Sequence, residues 1–182
     1  IGLIEKFQRK DLSKVYFNGR TEAADLTIPD LKGACTALAE NQVALLNSYG
    51  VCLFHWMLDP AGYTPQDYYG KAYGAVTGID LDPEELMRAG ERICNLEKAF
   101  NSRVGMRREH DTLCERWMWE PTPEGMYKGV VAADMFTPVL DEYYEWRGWD
   151  KASGLQTRAG LTDLGMEDVA DVLAADGALA GN

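Results

Sequence analysis

Apolar positions recur along this chain with the spacing of helices, and each run is bracketed by start and stop residues. Leu31, Ala34, Cys35, Leu38, Ala39, Leu45 and Leu46 form one stripe at helical spacing. Pro29 suits a first turn, Asp30 complements the positive end of the helix dipole, and Gly50 is a natural stop. The spacing predicts a helix from about Pro29 to Tyr49. Thr64-Pro65-Gln66-Asp67 is a second start signal; Tyr68, Tyr69, Ala72, Tyr73 and Val76 follow, and Gly78 closes. Asp82-Pro83-Glu84-Glu85 repeats that grammar and opens a long third helix carrying Leu86, Ala89, Ile93, Leu96, Phe100 and Val104. Residues 105–133 read as a long loop with short pieces. A fourth helix runs over about 134–147, with Phe136, Leu140, Tyr143 and Tyr144 on one side, Pro138 limiting its first turn and Gly148 as its stop. Two short helices, 157–164 and 166–174, flank Gly165, and the Ala/Gly tail over 175–182 is expected to fray.

A period of two is sustained nowhere, and Val51 to Met57 is the single candidate strand. Residues 1–28 are mixed and read as a lead-in segment with a turn at Asn18-Gly19-Arg20. The expected fold is therefore all-α: one domain over 1–182, an irregular bundle of about five to seven helices with long loops.

Composition narrows the function. The chain has 182 residues, 46% of them apolar, which supports a real core. Its formal charge of −11 argues against nucleic acid and against an anionic membrane surface. The longest apolar run, Val51 to Leu58, is far short of the about 20 residues a membrane helix needs. The first residue is Ile1, so a piece of a longer polypeptide is expected.

Chemistry-bearing residues are few. Cys35, Cys52, Cys94 and Cys114 form no CxxC pair, so no self-contained zinc or iron–sulfur site is readable from spacing; reduced thiols and a cytoplasmic location are expected. His55 lies in an apolar run, and His110 sits between Glu109 and Asp111. Arg103, Arg107, Arg108 and Arg116 make a local basic patch that either binds an anion or ties loops to neighbouring acids. No catalytic residue is assigned. Cys52 stands apart because it follows the Gly50 stop. A glycine in the left-handed region ends a helix cheaply, and the residue two places on leaves the helical register. The alternative is a buried structural thiol.

Five blocks in order change the picture. Asn47-Ser48-Tyr49-Gly50-Val51-Cys52 resembles the DxxGLC motif of the tungsten-containing aldehyde ferredoxin oxidoreductases. Glu91-Arg92-Ile93-Cys94-Asn95-Leu96-Glu97-Lys98-Ala99-Phe100-Asn101-Ser102-Arg103-Val104-Gly105 resembles their ER-x-x-NL-x-R-x-FN-x-R-x-G block. His110-Asp111-Thr112-Leu113-Cys114-Glu115-Arg116 is similar to their DD-x-LP-x-R, and Leu140-Asp141-Glu142-Tyr143-Tyr144-Glu145-Trp146-Arg147-Gly148-Trp149-Asp150 to L-x-EYY-x-x-RGWD. Leu161-Thr162-Asp163-Leu164-Gly165-Met166 is similar to the L-x-x-LGL that follows.

The resemblance implies the last helical domain of a longer enzyme that oxidises aldehydes to carboxylic acids and passes electrons to ferredoxin. It implies tungstopterin or molybdopterin and a 4Fe-4S cluster in the complete enzyme, with none held by this segment alone. Cys52 would be the fourth cluster ligand, beside three cysteines of a CxxCxxxC in the missing N-terminal part. Asn47, Gly50 and Val51 would lie against the pterin. The implied partners are that N-terminal part, ferredoxin, a small aldehyde and, in some assemblies, a second copy. Three positions depart from the pattern: Asn47 replaces Asp, Cys114 replaces Pro, and Leu155-Gln156 stands where a Pro is expected before Thr157. A relative acting on another acid or on an aromatic thioester stays open, as does a helical packing domain whose cofactor role is lost. Tyr143, Tyr144, Trp146 and Trp149 are expected in the core, and Arg92 and Arg147 as ties between helices and loops.

Overall fold

The computed structural model describes residues 20–24, 28–54, 68–125 and 127–181. Thr64-Pro65-Gln66-Asp67, His55 and most of the lead-in segment lie outside them; of the Val51–Met57 strand candidate, Val51 to Phe54 are described and form no strand, Leu53 and Phe54 being helical. Seven α-helices are present among the described residues: α1 Lys32–Tyr49, α2 Gly70–Thr77, α3 Pro83–Arg103, α4 Glu115–Trp119, α5 Ala133–Arg147, α6 Arg158–Asp163 and α7 Glu167–Ala175. Short 3-10 turns cover Thr21–Ala24 and Arg108–His110. The only strand-like pairing described is a single bridge between Trp149 and Gln156. The all-α expectation holds.

Helix α1 is the spine, packed between α3 and α5. Two glycines let the backbones touch. A Cβ on Gly33 would stand 2.4 Å from the Tyr143 nitrogen and 2.5 Å from the Val139 oxygen of α5. A Cβ on Gly90 of α3 would stand 2.4 Å from the Asn41 oxygen of α1. The Arg147 side chain, buried between α5 and α1, donates to Asn41 Oδ1 at 2.6 Å, to the Ala37 carbonyl at 3.1 Å and to Glu40 Oε2 at 2.6 Å. Arg92 donates to the Leu164 carbonyl at 2.7 Å. Both arginines are the ties expected of them.

The start of α1 differs from the reading. It begins at Lys32, and no local side chain caps it. The Glu142 carboxylate of α5 instead accepts from the Leu31 and Gly33 N–H groups at 3.0 and 2.8 Å. A carboxylate there answers both the orphan donors and the positive dipole end. The arrangement holds buried Leu31 at φ 62°, a conformation that costs a non-glycine residue about 1 kcal/mol or more. Helix α5 begins one residue before the expected bound, and Pro138 sits inside it rather than limiting its first turn.

Helix α3 is rotated relative to its apolar pattern. Asp82 and Glu85 close the expected capping box. Yet the buried face carries Leu86, Gly90, Asn95, Lys98, Ala99 and Ser102, while Leu96, Phe100 and Val104 point outward. Two of these buried polar groups are paired: Asn95 Oδ1 accepts from Trp149 Nε1 at 2.9 Å and from Gln156 Nε2 at 2.7 Å, and Lys98 meets Asp111, whereas the Ser102 hydroxyl has no hydrogen-bond partner among the described residues. Ala99 joins Leu161, Leu164, Met166, Ala170, Leu173 and Ala178 in a second core under α6 and α7. The described part of the tail packs on this core. Ala178 is buried, its N–H donates to the Leu173 carbonyl, and Ala180 N–H donates to the Gln156 carbonyl at 2.9 Å.

Candidate functional site

The C-terminal end of α1 is closed by a two-bond cap. Gly50, at φ 71°, donates to the Asn47 carbonyl, and Val51 donates to the Leu46 carbonyl, each at 3.1 Å. No atom lies within 4 Å of where a Gly50 Cβ would be, so it is the backbone angle, not crowding, that calls for glycine. Val51 and Leu53 turn inward onto Leu46 and Tyr69. Tyr49 packs beside Tyr69 and Tyr73, with ring centroids 6.5 and 5.9 Å away. Between the two inward residues Cys52 points outward and is exposed. Phe54 beyond it is 68% exposed. The thiol thus stands on an anchored segment and faces open space.

Asn47 lies one turn before the stop, and its side chain is exposed. It also lines the end of a groove of about 880 Å3 between α1, α3 and α5. The structure brings Asn47, Gly50, Val51 and Cys52 together at one edge. Cys35, Cys94 and Cys114 are elsewhere; Cys35 and Cys94 line the groove, and all four thiols are free.

The groove has polar groups that the sequence reading did not single out as a set. Tyr143 donates to Glu40 Oε2 at 2.7 Å. Lys98 pairs with Asp111 at 3.2 Å, its ammonium 4.9 Å from the Trp149 ring centroid, and the Tyr144 hydroxyl also reaches Asp111. No periodicity marks these residues as neighbours: Lys98, Asp111 and the Tyr143, Tyr144 and Trp149 set belong to three separate blocks, and Glu40 to none. Trp149 and Tyr144 are buried as expected, and Trp146 is 45% exposed. The basic patch resolves into ties: Arg103 to Asp176, Arg108 to Asp141, Arg116 to Glu120, and Arg107 to the Ser102 and Met106 carbonyls. His110 Nδ1 accepts the Arg107 N–H at 3.0 Å and closes a turn.

Burial sets the protonation of the groove. It pushes the Cys35 thiol up to about 11 and raises Cys94, Tyr143 and Tyr144 above their ordinary values. Each is an acid whose folded form holds its proton longer than the unfolded chain does. Their stabilisation is complete below the unfolded thiol value of about 9 and is lost as pH rises through the folded values. The urea midpoint should therefore fall between pH 8 and pH 10.5, and replacing Cys35 and Cys94 by Ala should flatten that slope. A midpoint that rises over this range would contradict the assignment.

Among the described residues no group of three or more His, Cys, Asp or Glu side chains is gathered to hold a metal. Cys52 could donate a single thiolate to a site completed by other ligands. An exposed thiol on a fixed backbone is the right donor for an iron–sulfur corner, and the Asn47 amide beside it offers both a donor and an acceptor.

Known proteins share this arrangement of sequence. The family described as aldehyde ferredoxin oxidoreductase, domains 2 and 3, matches residues 7–166. The tungsten-containing aldehyde ferredoxin oxidoreductase of Pyrococcus abyssi is 34% identical over 142 residues, which is 78% of this chain and 22% of that protein. The enzyme of the same name from Thermococcus kodakarensis is also 34% identical over the same shares. Among solved structures, the active-site complex BamBC of benzoyl coenzyme A reductase, in complex with 1,5-dienoyl-CoA, aligns with a TM-score of 0.64 and 25% identity. That alignment covers 87% of this chain and 22% of the other. The chain thus spans about a fifth of the length of these relatives. With the family matched across most of its residues and a third of them identical to such enzymes, this chain belongs to the aldehyde ferredoxin oxidoreductase family.

Proposed function

We propose that the chain is the C-terminal helical part of a tungsten- or molybdenum-pterin oxidoreductase that oxidises aldehydes to carboxylic acids, with ferredoxin taking the electrons. Cys52 supplies one thiolate ligand to a 4Fe-4S cluster whose other ligands lie in the rest of the polypeptide. Asn47 hydrogen-bonds pterin ring nitrogens through its amide, and the Gly50 and Val51 backbone lies against the same group. When bound, the metal–pterin group supplies the two-electron oxidation and the cluster the one-electron outlet. This chain's own residues bind and orient. The α1 cap fixes where the Cys52 sulfur sits, and Val51 and Leu53, packed on Leu46 and Tyr69, keep that segment from moving. Asn47 lacks the charge of the aspartate it replaces, so its bond to a pterin N–H is a neutral one, about half as strong.

The observation that carries this reading is the exposed Cys52 thiol, held two residues past a glycine stop within a matching block. A second reading has its own support. The likeness to benzoyl coenzyme A reductase favours a relative acting on an aromatic thioester, with the same Cys52 and Asn47 roles. The full-length enzyme should be purified without air and its tungsten, molybdenum and iron measured. It should then be assayed for viologen reduction by aliphatic and aromatic aldehydes, and for turnover of aryl coenzyme A thioesters. Aldehyde-dependent reduction supports the first reading, and thioester turnover alone the second. A well-folded protein without pterin metal or iron would leave only the packing-domain alternative.

A further inference from the structure

The most sharply amphipathic of the long helices turns its apolar face outward. Beyond buried Leu86, residues Ile93, Phe100 and Val104 follow one another at spacings of seven and four, with Leu96 beside them, so they share one side of α3. Leu96 is 57% exposed, and Phe100 and Val104 are each 66% exposed. The opposite side of the same helix buries Asn95, Lys98 and Ser102. Such a strip of large apolar side chains costs free energy in water and marks a contact surface.

We propose that this face of α3 is a docking surface for the part of the same polypeptide that the relatives carry outside this segment, and that it holds the Cys52 edge against that part. Three observations choose this occupant. The chain covers 22% of its curated relatives, so most of such an enzyme lies beyond it and must be packed somewhere. The helix that bears the strip is seated beside the Cys52 edge: Tyr69 packs on Leu46, Val51 and Leu53, and the next residue, Gly70, is so close to Leu86, buried at the start of α3, that a Cβ would be 2.4 Å from its Cδ1. A second copy is disfavoured because it would bring a further −11 of like charge. The proposal rests on the reading that the chain is part of a longer enzyme, and not on which cofactor that enzyme holds.

The test is side-chain footprinting by hydroxyl radicals in the full-length enzyme. Leu96, Phe100 and Val104 should be labelled roughly tenfold less in the native enzyme than after unfolding. Phe100→Glu should restore labelling of Leu96 and Val104 at unchanged mass and helicity, whereas Phe100→Tyr should not. Cys52→Ser should leave the protection intact; an unsubstituted enzyme that is protected yet holds no iron would defeat the cofactor reading and spare this one. Strong labelling of the strip in the native enzyme overturns the proposal. So does protection lost on dilution to a monomer, which assigns the face to a second copy. Protection that disappears when residues 55–67 are replaced by a Gly-Ser linker also overturns it, because the cover is then a segment of this chain.

Discussion

In the full-length enzyme, Cys52→Ser is expected to bring cluster iron close to zero and to lower turnover by about a hundredfold or more, while the melting temperature, compared between the metal-free forms, stays put. The two halves of that expectation have separate physical causes. A cluster corner needs a thiolate, and a serine hydroxyl holds its proton far too tightly to replace it. The electron outlet is then lost, and at least about 3 kcal/mol of effective barrier follows from a hundredfold drop. Stability does not follow, because the thiol is exposed and contributes nothing to the core; surface changes of this kind fall within about 0.5 kcal/mol. A large loss of stability together with the loss of iron would mean that Cys52 is structural. Unchanged iron would mean that it is not a ligand.

The second large effect is on the fold. Gly33→Ala and Gly90→Ala are each expected to destabilise by about 3 kcal/mol or more, read as a drop in urea midpoint. Helix propensity argues the other way, since alanine is better than glycine inside a helix by about 1 kcal/mol. Contact decides against it. The new methyl carbon at Gly33 would sit 2.4 Å from a backbone nitrogen and 2.5 Å from a carbonyl oxygen of α5, and at Gly90 2.4 Å from a carbonyl oxygen of α1. Backbone atoms cannot swing aside as a side-chain tip can, so the helices must part. That separation would disturb the Glu142 cap and the Arg147 bridge across the same interface. A midpoint that rises on either substitution would show that the helices are less tightly apposed than described.

Helix ends were the most legible feature of the sequence. Gly50, Gly78, Gly148 and Gly165 all stop a helix in the left-handed region, and Asp82 and Glu85 cap one as their spacing predicts. These signals are local, carried by the residue at the terminus itself. The start of α1 was not legible, because its cap comes from Glu142, 111 residues from Leu31. The rotation of α3 was hidden for a related reason. An apolar stripe ordinarily faces the core, whereas here the Asn95–Trp149–Gln156 hydrogen bonds fix the polar side inward and leave Leu96, Phe100 and Val104 outward. The tail looked too small and flexible to order, yet Ala178 fits a core whose other members come from α3, α6 and α7.

The site divides in the same way. The edge carrying Asn47, Gly50, Val51 and Cys52 lies within six consecutive residues and was readable from its stop glycine and its resemblance. The groove beside it, where Glu40, Tyr143, Lys98 and Asp111 converge from separate elements, carries no such signature. Its polar groups are spread from α1 to α5, and only the packing through Gly33 and Gly90 brings them together.

The most direct measurement is thiol alkylation of the intact, metal-loaded enzyme, mapped by mass spectrometry before and after the iron is chelated. A sulfur bonded to iron resists the reagent, so Cys52 should stay unmodified at first and react once the cluster is gone. Alkylation of Cys52 in the loaded enzyme with every iron retained would contradict the account.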